Sequence, residues 1–452
     1  MTPPQQLVPP PDDEHAEAEF QRVLAQLADR WPENRIEPSI TRDRAIMDLL
    51  GSPQTSAPVV HLAGTNGKTS TTRMIESLLR AAGLRTGMYT SPHLHSVCER
   101  ISVDGAPISH QQFVDAYAEI APFVDLVDAS AGRLTWFQTI TALAFACFAD
   151  APVDAMVIEC GLGGTWDSTN VVDPSTCAIT PIGMDHQSYL GDTLAQVAGE
   201  KAGIITAPVP VISAAQAEEA AEVIAARAAE QGAELLVAGR DFRLIGRDVA
   251  VGGQLVDIAG LAAEYHEVFL PLHGRHQSEN AAVAVAAVEA FLGGRGLDPD
   301  LVREAFAGTS SPGRLEVLRT TPTVLGDAAH NPHGAAALAE ALAESFGFGR
   351  VIGVLAVLED KDVEAMLLAL APVLDRVVVT RNSSPRCLPT EELAELARDI
   401  WGDDAVDAAP DMVAALDMAV AEADAHLEIS AGVLVTGSVV TVADARQLLG
   451  RG

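Results

Sequence analysis

The stretch HLAGTNGKTS, at positions 61–70, combines a glycine turn with a lysine and hydroxyl side chains, and it follows a short apolar run. Backbone N–H groups at the start of a helix bind phosphate oxygens, and a lysine adds a compact positive charge. The spacing G-x-x-G-K-T is two residues shorter than the usual phosphate loop G-x-x-x-x-G-K-[ST], because Leu62 stands where the first glycine would be. The stretch predicts a nucleotide site of an unusual kind, in which Thr69 or Ser70 can reach a Mg²⁺ ion.

Polar side chains also stand where other apolar strands are predicted to end. Ser91 precedes a proline after one such strand, and Glu159 closes another. The carboxyl ends of parallel strands form the edge where ligands bind in open α/β sheets. Burying an unpaired carboxylate is costly, so Glu159 beside bound phosphates is a natural Mg²⁺ ligand. Ser91 can ligate a metal through its hydroxyl, and the alternative there is a simple turn.

The chain contains only three lysines, Lys68, Lys201 and Lys361, and every other fixed positive side chain is arginine. Where arginine serves at most positions, a retained lysine indicates a need for a compact ammonium or a reactive neutral amine. The alternative for Lys201, in GEKAG, is an ordinary solvated helix end. His186, in GMDH, follows a strand whose end lies parallel to that of Glu159, which favours a ligand over a structural histidine.

A second cluster of polar residues occurs in the motif GDAAHNP, at positions 326–332. Asp327 closes a strand, and His330 comes just before a helix. Asn331 fits a helix N-cap and Pro332 the first helical position, which gives these two residues a structural role. That role does not account for Asp327 and His330, which are therefore candidate site residues.

The elements that must position these residues alternate between strand and helix, which is typical of α/β proteins with parallel sheets. Strands are predicted over 59–63, 85–90, 154–159, 176–182 and 235–238, and helices over 68–80, 135–149, 214–231 and 276–292. After a loop at 308–314, a second alternating set, from strand 323–326 to helix 442–449, predicts a separate doubly wound domain. We assign residues 1–37 to a disordered or irregular tail and first helix, 38–310 to a nucleotide-binding domain, and 311–452 to a Rossmann-like domain.

Composition excludes several classes of protein. A net charge of −33 disfavours a nucleic-acid-binding or anionic-membrane surface. Five cysteines without a paired spacing are typical of reduced thiols in a cytosol. The first 20 residues are rich in proline and acid, which predicts a disordered tail, and they lack the pattern of a signal peptide. No apolar run reaches the ~18 residues of a membrane span, so we expect a cytoplasmic location.

Nine motifs in one order resemble a known family: HLAGTNGKTS, YTSPHL with CERI, IECGLGG, GMDH, GEKAG, HQSENA, SPGRLEV, DAAHNPHGA and GVLAVLEDKD. They are similar to those of the Mur ligases and, within that superfamily, of folylpolyglutamate synthase/dihydrofolate synthase. The resemblance extends from about position 38 to 443 and implies a P-loop domain with a mainly parallel sheet, a smaller Rossmann-like domain, and ATP between them. It also implies ATP-dependent ligation of L-glutamate to dihydropteroate, to reduced folyl-glutamates, or to both, by a monomer.

The resemblance implies a role for each matching residue. The nucleotide would be held by Gly64, Thr65, Asn66, Gly67, Lys68, Thr69, Ser70, Asn280, Arg314 and Asp327. Lys68 would hold the β- and γ-phosphates, with Asp327 and His330 approaching the ribose, the phosphates or the incoming glutamate. Two Mg²⁺ sites would use Ser91, Glu159, His186 and Lys201, the last as a carbamate. Phe137 would stack on the pterin ring, and His330 is a weak candidate for the catalytic base.

The chain also departs from the family pattern at a few positions. Ala328 and Ser311 replace a usual glycine and a usual aromatic residue, and neither change touches the chemistry. Gln138 stands where the family often has glutamate, and Thr165-Trp166 replaces a basic–apolar pair; both can alter the choice of acceptor.

Two alternatives stay open from the sequence. Another Mur-superfamily ligase would add an amino acid to a nucleotide-sugar precursor, but such enzymes carry a domain for the sugar, and the segment before the loop is short. A regulatory P-loop NTPase would hydrolyse nucleotide without a carboxylate acceptor and would not need His186 or Lys201.

Overall fold

The structure is a computed structural model, and it describes residues 14–31 and 38–451. The described strands are β1 (Val59–Ala63), β2 (Thr86–Tyr89), β3 (Ile101–Val103), β4 (Ala106–Pro107), β5 (Ala155–Glu159), β6 (Pro174–Ile179), β7 (Val211–Ser213), β8 (Leu235–Val237), β9 (Arg243–Ala250), β10 (Gly253–Ala259), β11 (Glu264–Leu270), β12 (Glu316–Thr320), β13 (Thr323–Asp327), β14 (Arg350–Leu355), β15 (Arg376–Val379), β16 (Val406–Ala408) and β17 (Ala431–Thr436).

The described helices are α1 (Glu14–Ala28), α2 (Thr41–Leu49), α3 (Lys68–Ala81), α4 (His110–Ser130), α5 (Trp136–Asp150), α6 (Gln187–Leu190), α7 (Leu194–Ala202), α8 (Glu218–Gln231), α9 (Arg275–Phe291), α10 (Pro299–Ala307), α11 (Pro332–Ser345), α12 (Val363–Leu370), α13 (Thr390–Trp401), α14 (Met412–Asp424) and α15 (Val439–Leu448). None of the helices in the described ranges is both long and apolar enough to cross a membrane.

The largest sheet has the order β4-β3-β2-β5-β1-β6-β7-β8 and is parallel from β2 to β8. Its central strand β1 is buried along its whole length, because helices cover both faces of the sheet. Val60 and Leu62 pack into the layer that contains α3 and α9. Val59 faces the opposite layer, which contains α4 and α5. The short strands β3 and β4 extend one edge in antiparallel pairing.

A small antiparallel sheet, of order β11-β10-β9, was not predicted from the sequence. Val256 and Ile258 point from β10 into the core layer that holds α9 and α10, whereas Leu255 just before them is exposed and Asp257 between them is half-buried. This is the period-two pattern of a sheet with one solvated face. No strand was predicted over residues 243–270, so this sheet adds to the mainly parallel arrangement that is expected from the sequence.

The second large sheet has the order β12-β13-β17-β14-β15-β16, with only β12 antiparallel to its neighbour. Its two faces pack against separate apolar layers, one with α11, α12 and α13 and the other with α14 and α15. The second alternating set predicted from the sequence is therefore present. α11 begins as expected, with Asn331 as the N-cap and Pro332 in the first turn.

The amino-terminal segment differs from the expected tail. α1 runs from Glu14 to Ala28, and Ala16 and Phe20 on it are buried. The predicted disorder of residues 14–20 was wrong, because their apolar side chains find a partner in α4 that a local composition argument does not consider. Residues 1–13 and 32–37 lie outside the described residues.

The large sheet brings several predicted site residues to one edge. β1 runs directly into the glycine loop, β5 ends at Glu159, and β2 is followed by Ser91. β5 lies between β1 and β2, so Ser91 is separated from the loop by the strand that carries Glu159. The carboxyl edge of β13 in the second sheet supplies Asp327.

Candidate active site

At two positions of the loop, Gly64 and Gly67, the backbone conformation and the close neighbours leave room only for glycine. Gly67 is the N-cap of α3 with φ +82°, and a Cβ there would lie 2.7 Å from Oδ1 of Asn280. A Cβ on Gly64 would lie 1.9 Å from the hydroxyl of Thr180. The N–H of Thr65 donates to the carbonyl of Pro181 at 3.0 Å, which ties the loop to the chain after β6. The loop is therefore a rigid turn at a helix start, as phosphate binding requires.

Two of the three lysines meet at one backbone carbonyl. Nζ of Lys68 donates to the carbonyl oxygen of Gly64 at 3.0 Å, and Nζ of Lys201 donates to the same oxygen at 2.8 Å. Lys201 is buried, and burial together with the charge of Lys68 lowers its pKa to about 7. A large share of Lys201 is therefore a neutral amine near neutral pH. Because this side chain is buried, the alternative of an ordinary solvated helix end does not hold.

Glu159 is a buried carboxylate beside the loop. Its Oε1 accepts a hydrogen bond from the hydroxyl of Thr69 at 2.8 Å, and its Oε2 accepts one from the N–H of Ser91 at 3.3 Å. Burial raises the pKa of Glu159, and the nearby charge of Lys68 opposes that shift. Thr69 from the loop and Ser91 after β2 are thus both in contact with the carboxylate of Glu159 at the end of β5.

His186 lies in a charged group formed by both halves of the chain. Nζ of Lys361 lies 2.7 Å from Oδ1 of Asp185 and 3.4 Å from Nε2 of His186. His330 approaches Asp185 from the other side, with Nε2 3.6 Å from Oδ2. Burial alone would raise the pKa of Asp185, but the hydrogen bond from His330 and the charges of its neighbours lower it well below its usual range. Burial lowers the pKa of His186 to about 4, so this imidazole is neutral near pH 7.

Lys361 and Asp185 are site residues to which sequence analysis gave no role. Lys361 follows β14 in the second sheet, and Asp185 follows β6 in the first. The rarity of lysine was a signal that could have identified Lys361. Asp185 stood within the quoted GMDH motif, but nothing local indicated its partner.

The second sheet contributes Asp327 and the chain around it. Asp327 is buried, and its carboxylate accepts from the N–H groups of Leu315 at 2.8 Å and Ala329 at 2.9 Å. Burial raises the pKa of Asp327, and the charge of Arg314 opposes that shift. Nδ1 of His330 lies 2.9 Å from the carbonyl of Ala328, so Nδ1 donates and Nε2 is left as the nitrogen that faces Asp185.

Asn280 on α9 lies against Gly67 of the loop. Its Nδ2 donates to Oε1 of Gln277 at 3.3 Å. Nε2 of Gln277 in turn donates to the hydroxyl of Ser70 at 3.3 Å, and that hydroxyl lies 3.0 Å from the hydroxyl of Ser311. α9, the loop and the junction between the sheets are thus joined by one chain of polar contacts.

Phe137 lies in the first turn of α5 and lines the same cavity. Its ring lies against Gly161, where a Cβ would come within 2.5 Å of it, and its centroid is 6.1 Å from that of Tyr89. The next residue, Gln138, donates to Oδ2 of Asp43 at 2.8 Å, while its own oxygen accepts from the N–H of Thr135. This arrangement fixes the start of α5 and with it the position of Phe137.

Most of these side chains line one cavity of about 1000 Å³ between the two large sheets. Of the predicted site residues, those that line it are Thr65, Asn66, Gly67, Lys68, Thr69, Ser70, Ser91, Phe137, Glu159, His186, Lys201, Asn280, Arg314, Asp327 and His330. Gly64 does not line it and acts through its carbonyl, which holds Lys68 and Lys201.

The side chains beside the phosphate loop offer oxygen donors of the kind that Mg²⁺ requires. In the described ranges, no three histidine, cysteine, aspartate or glutamate side chains lie close enough together to form a metal cluster. Mg²⁺ usually takes one or two carboxylates and completes its shell with phosphate oxygens and water. Buried Glu159, with the hydroxyl of Thr69 on it, fits that chemistry beside the phosphate loop. His186 faces Lys361 in this structure, so its predicted place in a second metal site stays a prediction.

Comparison with known proteins agrees with this geometry. The Mur ligase middle domain matches residues 62–288, and the Mur ligase glutamate ligase domain matches residues 313–439. A dihydrofolate synthase/folylpolyglutamate synthase of Mycobacterium tuberculosis is 49% identical, over 98% of this chain and 96% of the relative. The chain belongs to the folylpolyglutamate synthase/dihydrofolate synthase family of the Mur ligases.

Solved structures show the same fold for this Mur ligase. The M. tuberculosis folylpolyglutamate synthase complexed with ADP has a TM-score of 0.93 and 48% identity, covering 97% of this chain and 99% of that one. Escherichia coli FolC in complex with DHPP and ADP has a TM-score of 0.84 and 30% identity, covering 96% and 98%. The predicted family and the predicted α/β fold of a Mur ligase are therefore confirmed.

Proposed function

We propose that this chain is an ATP-dependent ligase that joins L-glutamate to dihydropteroate, to reduced folyl-glutamates, or to both. One observation supports it above all: a phosphate loop, a buried carboxylate and the Asp327 and His330 edge of a second sheet line one cavity, with Phe137 on its acceptor side. The names of the family relatives supply the substrate class. The cavity has room for a nucleotide and an extended acid together.

The chemistry follows from the need to activate a carboxylate. The acceptor carboxylate attacks the γ-phosphorus of ATP, ADP leaves, and an acyl phosphate forms. The amine of glutamate then attacks the acyl carbon, phosphate leaves, and the amine loses a proton as the amide forms. Lys68 is placed to neutralise charge that develops on the β- and γ-phosphates, because catalysis of phosphoryl transfer is mostly alignment and electrostatics.

We propose the remaining nucleotide contacts from where the side chains lie in the cavity. Gly67 and its neighbours supply backbone N–H groups for the phosphates. Asn280 lies against Gly67, and Arg314 lines the same cavity. Asp327 and His330 approach the ribose, the phosphates or the incoming glutamate from the second sheet. Nε2 of His330 would take the proton of the glutamate ammonium only once it no longer donates to Asp185, whose Oδ2 lies 3.6 Å away.

Two Mg²⁺ ions are proposed, held by Ser91 and Glu159 and by Glu159, His186 and Lys201. Mg²⁺ bound there would neutralise phosphate charge and hold the γ-phosphoryl group in line. Lys201 is proposed to be carbamylated, which would turn a buried amine into an oxygen ligand. Burial and its hydrogen bond to a carbonyl rather than to a carboxylate support that chemistry, because CO₂ adds only to a neutral amine.

Phe137 is proposed to stack on the pterin ring, and the partners are proposed to be small molecules only. The strongly negative chain disfavours nucleic acid. A cytoplasmic monomer is the state we propose. A ligase acting on a nucleotide-sugar precursor and a regulatory NTPase are the alternatives, and the identity of the relatives disfavours both.

The test is a matched set of ADP-release assays with ATP, Mg²⁺ and L-glutamate, with dihydropteroate, with tetrahydrofolate, or without acceptor. We expect ADP release that needs both glutamate and an acceptor, and a new amide detected by mass spectrometry. Lys68→Ala should lower the rate by about 100-fold or more, since removing one preorganised charge-stabilising donor costs that much. ADP release independent of acceptor would support the NTPase, and a Lys68→Ala variant as active as the parent would exclude the mechanism.

A further inference from the structure

Asn66 and Asn331 form a reciprocal amide pair across the two large sheets. Nδ2 of Asn66 donates to Oδ1 of Asn331 at 3.2 Å, and Nδ2 of Asn331 donates to Oδ1 of Asn66 at 3.1 Å. The residues are 265 positions apart, one in the phosphate loop and the other at the start of α11. A carboxamide carries a donor and an acceptor side by side, so two of them can satisfy each other.

Both ends of this pair are anchored independently. The backbone N–H of Asn66 donates to the carbonyl of Pro181 at 3.2 Å, and its side chain lies 2.8 Å from Nδ1 of His333. Asn331 is only 2% exposed, and its Oδ1 also accepts from the N–H of Gly334 at 2.8 Å. Its Nδ2 also donates to Asp185 at 3.0 Å. A shift of α11 relative to the first sheet therefore must pull on the phosphate loop.

We infer that the Asn66–Asn331 pair is a positioning device that couples the geometry of the phosphate loop to the docking of the second domain. The inference rests on the proposed function, because it concerns when the γ-phosphoryl group is transferred. An acyl phosphate formed in an open cleft meets water, and hydrolysis returns the acid and phosphate while ATP is lost. A loop that reaches its working geometry only when α11 is docked confines that step to the closed cleft.

The variants must separate this role from helix capping. Asn66→Ala removes one amide without changing the cap of α11. Asn331→Ser removes the other amide and keeps a good N-cap oxygen for Gly334. The double variant completes a mutant cycle, in which non-additivity measures direct coupling. Asp411→Ser is the matched control, because the exposed side chain of Asp411 caps α14 in the same way, through the N–H of Ala414.

Each single variant should release more than one ADP per amide bond formed, and its kcat for the amide should fall about tenfold, the equivalent of ~1.4 kcal/mol. The double variant should be no worse than the poorer single variant. Asp411→Ser should keep the parental ratio and rate. An unchanged ADP-to-amide ratio in both single variants, or effects that multiply in the double variant, would overturn the inference.

Small-angle scattering separates this inference from the proposed function, because it needs no acceptor chemistry. With Mg²⁺ and a non-hydrolysable ATP analogue, the parental radius of gyration should decrease, and it should decrease less in both single variants. If the parent protein makes no glutamyl amide, the proposed function is wrong, but the scattering experiment still tests the coupling between the loop and the second domain. If the radius of gyration decreases equally in the parent and in both single variants, the inferred coupling is wrong.

Discussion

Lys361 and Asp185 form an ion pair between the two large sheets, with 2.7 Å between Nζ and Oδ1 and only 6% of each side chain exposed. Removing one partner of a buried pair leaves an uncompensated charge, which costs about 3 kcal/mol or more. We expect Lys361→Met to weaken docking of the second domain and to lower the rate of amide formation. Limited proteolysis near position 310 should be faster in this variant than in the parent.

The control for that prediction is Lys361→Met combined with Asp185→Asn. The double variant has no buried unpaired charge, so it should recover much of the parental protease resistance while amide formation stays low. Protease resistance in Lys361→Met equal to that of the parent would show that the pair does not hold the domains together.

Lys201 should carry a carbamate that arginine cannot replace. With ¹³C-labelled bicarbonate, the parent should show a carbamate carbon resonance that is absent from Lys201→Arg, and that variant should lose amide formation. Lys361→Arg, which changes another of the three lysines, should keep the resonance. The same signal in the parent and in Lys201→Arg would assign the carbamate to another amine.

Phe137 should determine acceptor binding without affecting the nucleotide. Phe137→Ala should raise the KM for the pteroyl acceptor roughly tenfold, since it removes an aromatic contact worth about 1 kcal/mol beyond its area. The affinity for ADP should stay at the parental value. Phe348→Ala, which removes a ring that stacks on Phe346 in the second domain, is the control and should leave both constants unchanged. A shift in ADP affinity for Phe137→Ala would place the ring in the nucleotide site.

The glycine loop should tolerate no side chain at Gly67. Gly67→Ala should abolish nucleotide binding, because its Cβ would lie 2.7 Å from Asn280 in a backbone with φ +82°. Gly83→Ala is the matched control, with φ +88° and no atom within 4 Å of the added Cβ. It should cost about 1 kcal/mol of stability from its backbone alone and leave ADP affinity unchanged. Calorimetric titration with ADP makes the comparison, and a Gly67→Ala variant that binds ADP normally would contradict it.

His61, in the strand that leads to the loop, should make the protein sensitive to acid. It is fully buried with Nε2 2.9 Å from the hydroxyl of Thr169, and burial lowers its pKa to about 3 from an ordinary 6.5. Between those values the unfolded chain binds a proton that the folded chain does not, so stability falls as pH falls below 6.5. From pH 7 to pH 5 this residue alone should remove about 2 kcal/mol of unfolding free energy.

Urea unfolding of the parent and of His61→Gln at the two pH values measures that loss. Glutamine keeps a polar partner for Thr169 and does not titrate, so the variant should show a smaller drop between pH 7 and pH 5. Equal drops in the two proteins would mean that other groups cause the acid sensitivity.

Sequence reasoning succeeded where the signal is local. The loop from Gly64 to Ser70, the strand that ends at Glu159, and the cap at Asn331 each depend on residues within a few positions of each other. Strand and helix periodicity likewise gave the α/β alternation of both sheets. The antiparallel sheet of β9 to β11 was missed because its alternation is broken by irregular pairings. The boundary near Ser310 stays a prediction.

By itself, then, the sequence determined that the chain has a short phosphate loop, strand-end acids and three informative lysines, because composition and spacing carry those facts. Its resemblance to the Mur ligases supplied the family of that loop. Only the tertiary structure decided that Lys361 meets Asp185, that Lys201 shares a carbonyl with Lys68, and that Asn66 pairs with Asn331. The bonds of Lys361 to Asp185, of Lys201 to Gly64 and of Asn331 to Asn66 each join residues more than 100 positions apart. A hydrogen bond at that separation depends on how sheets and helices pack, which no local pattern encodes.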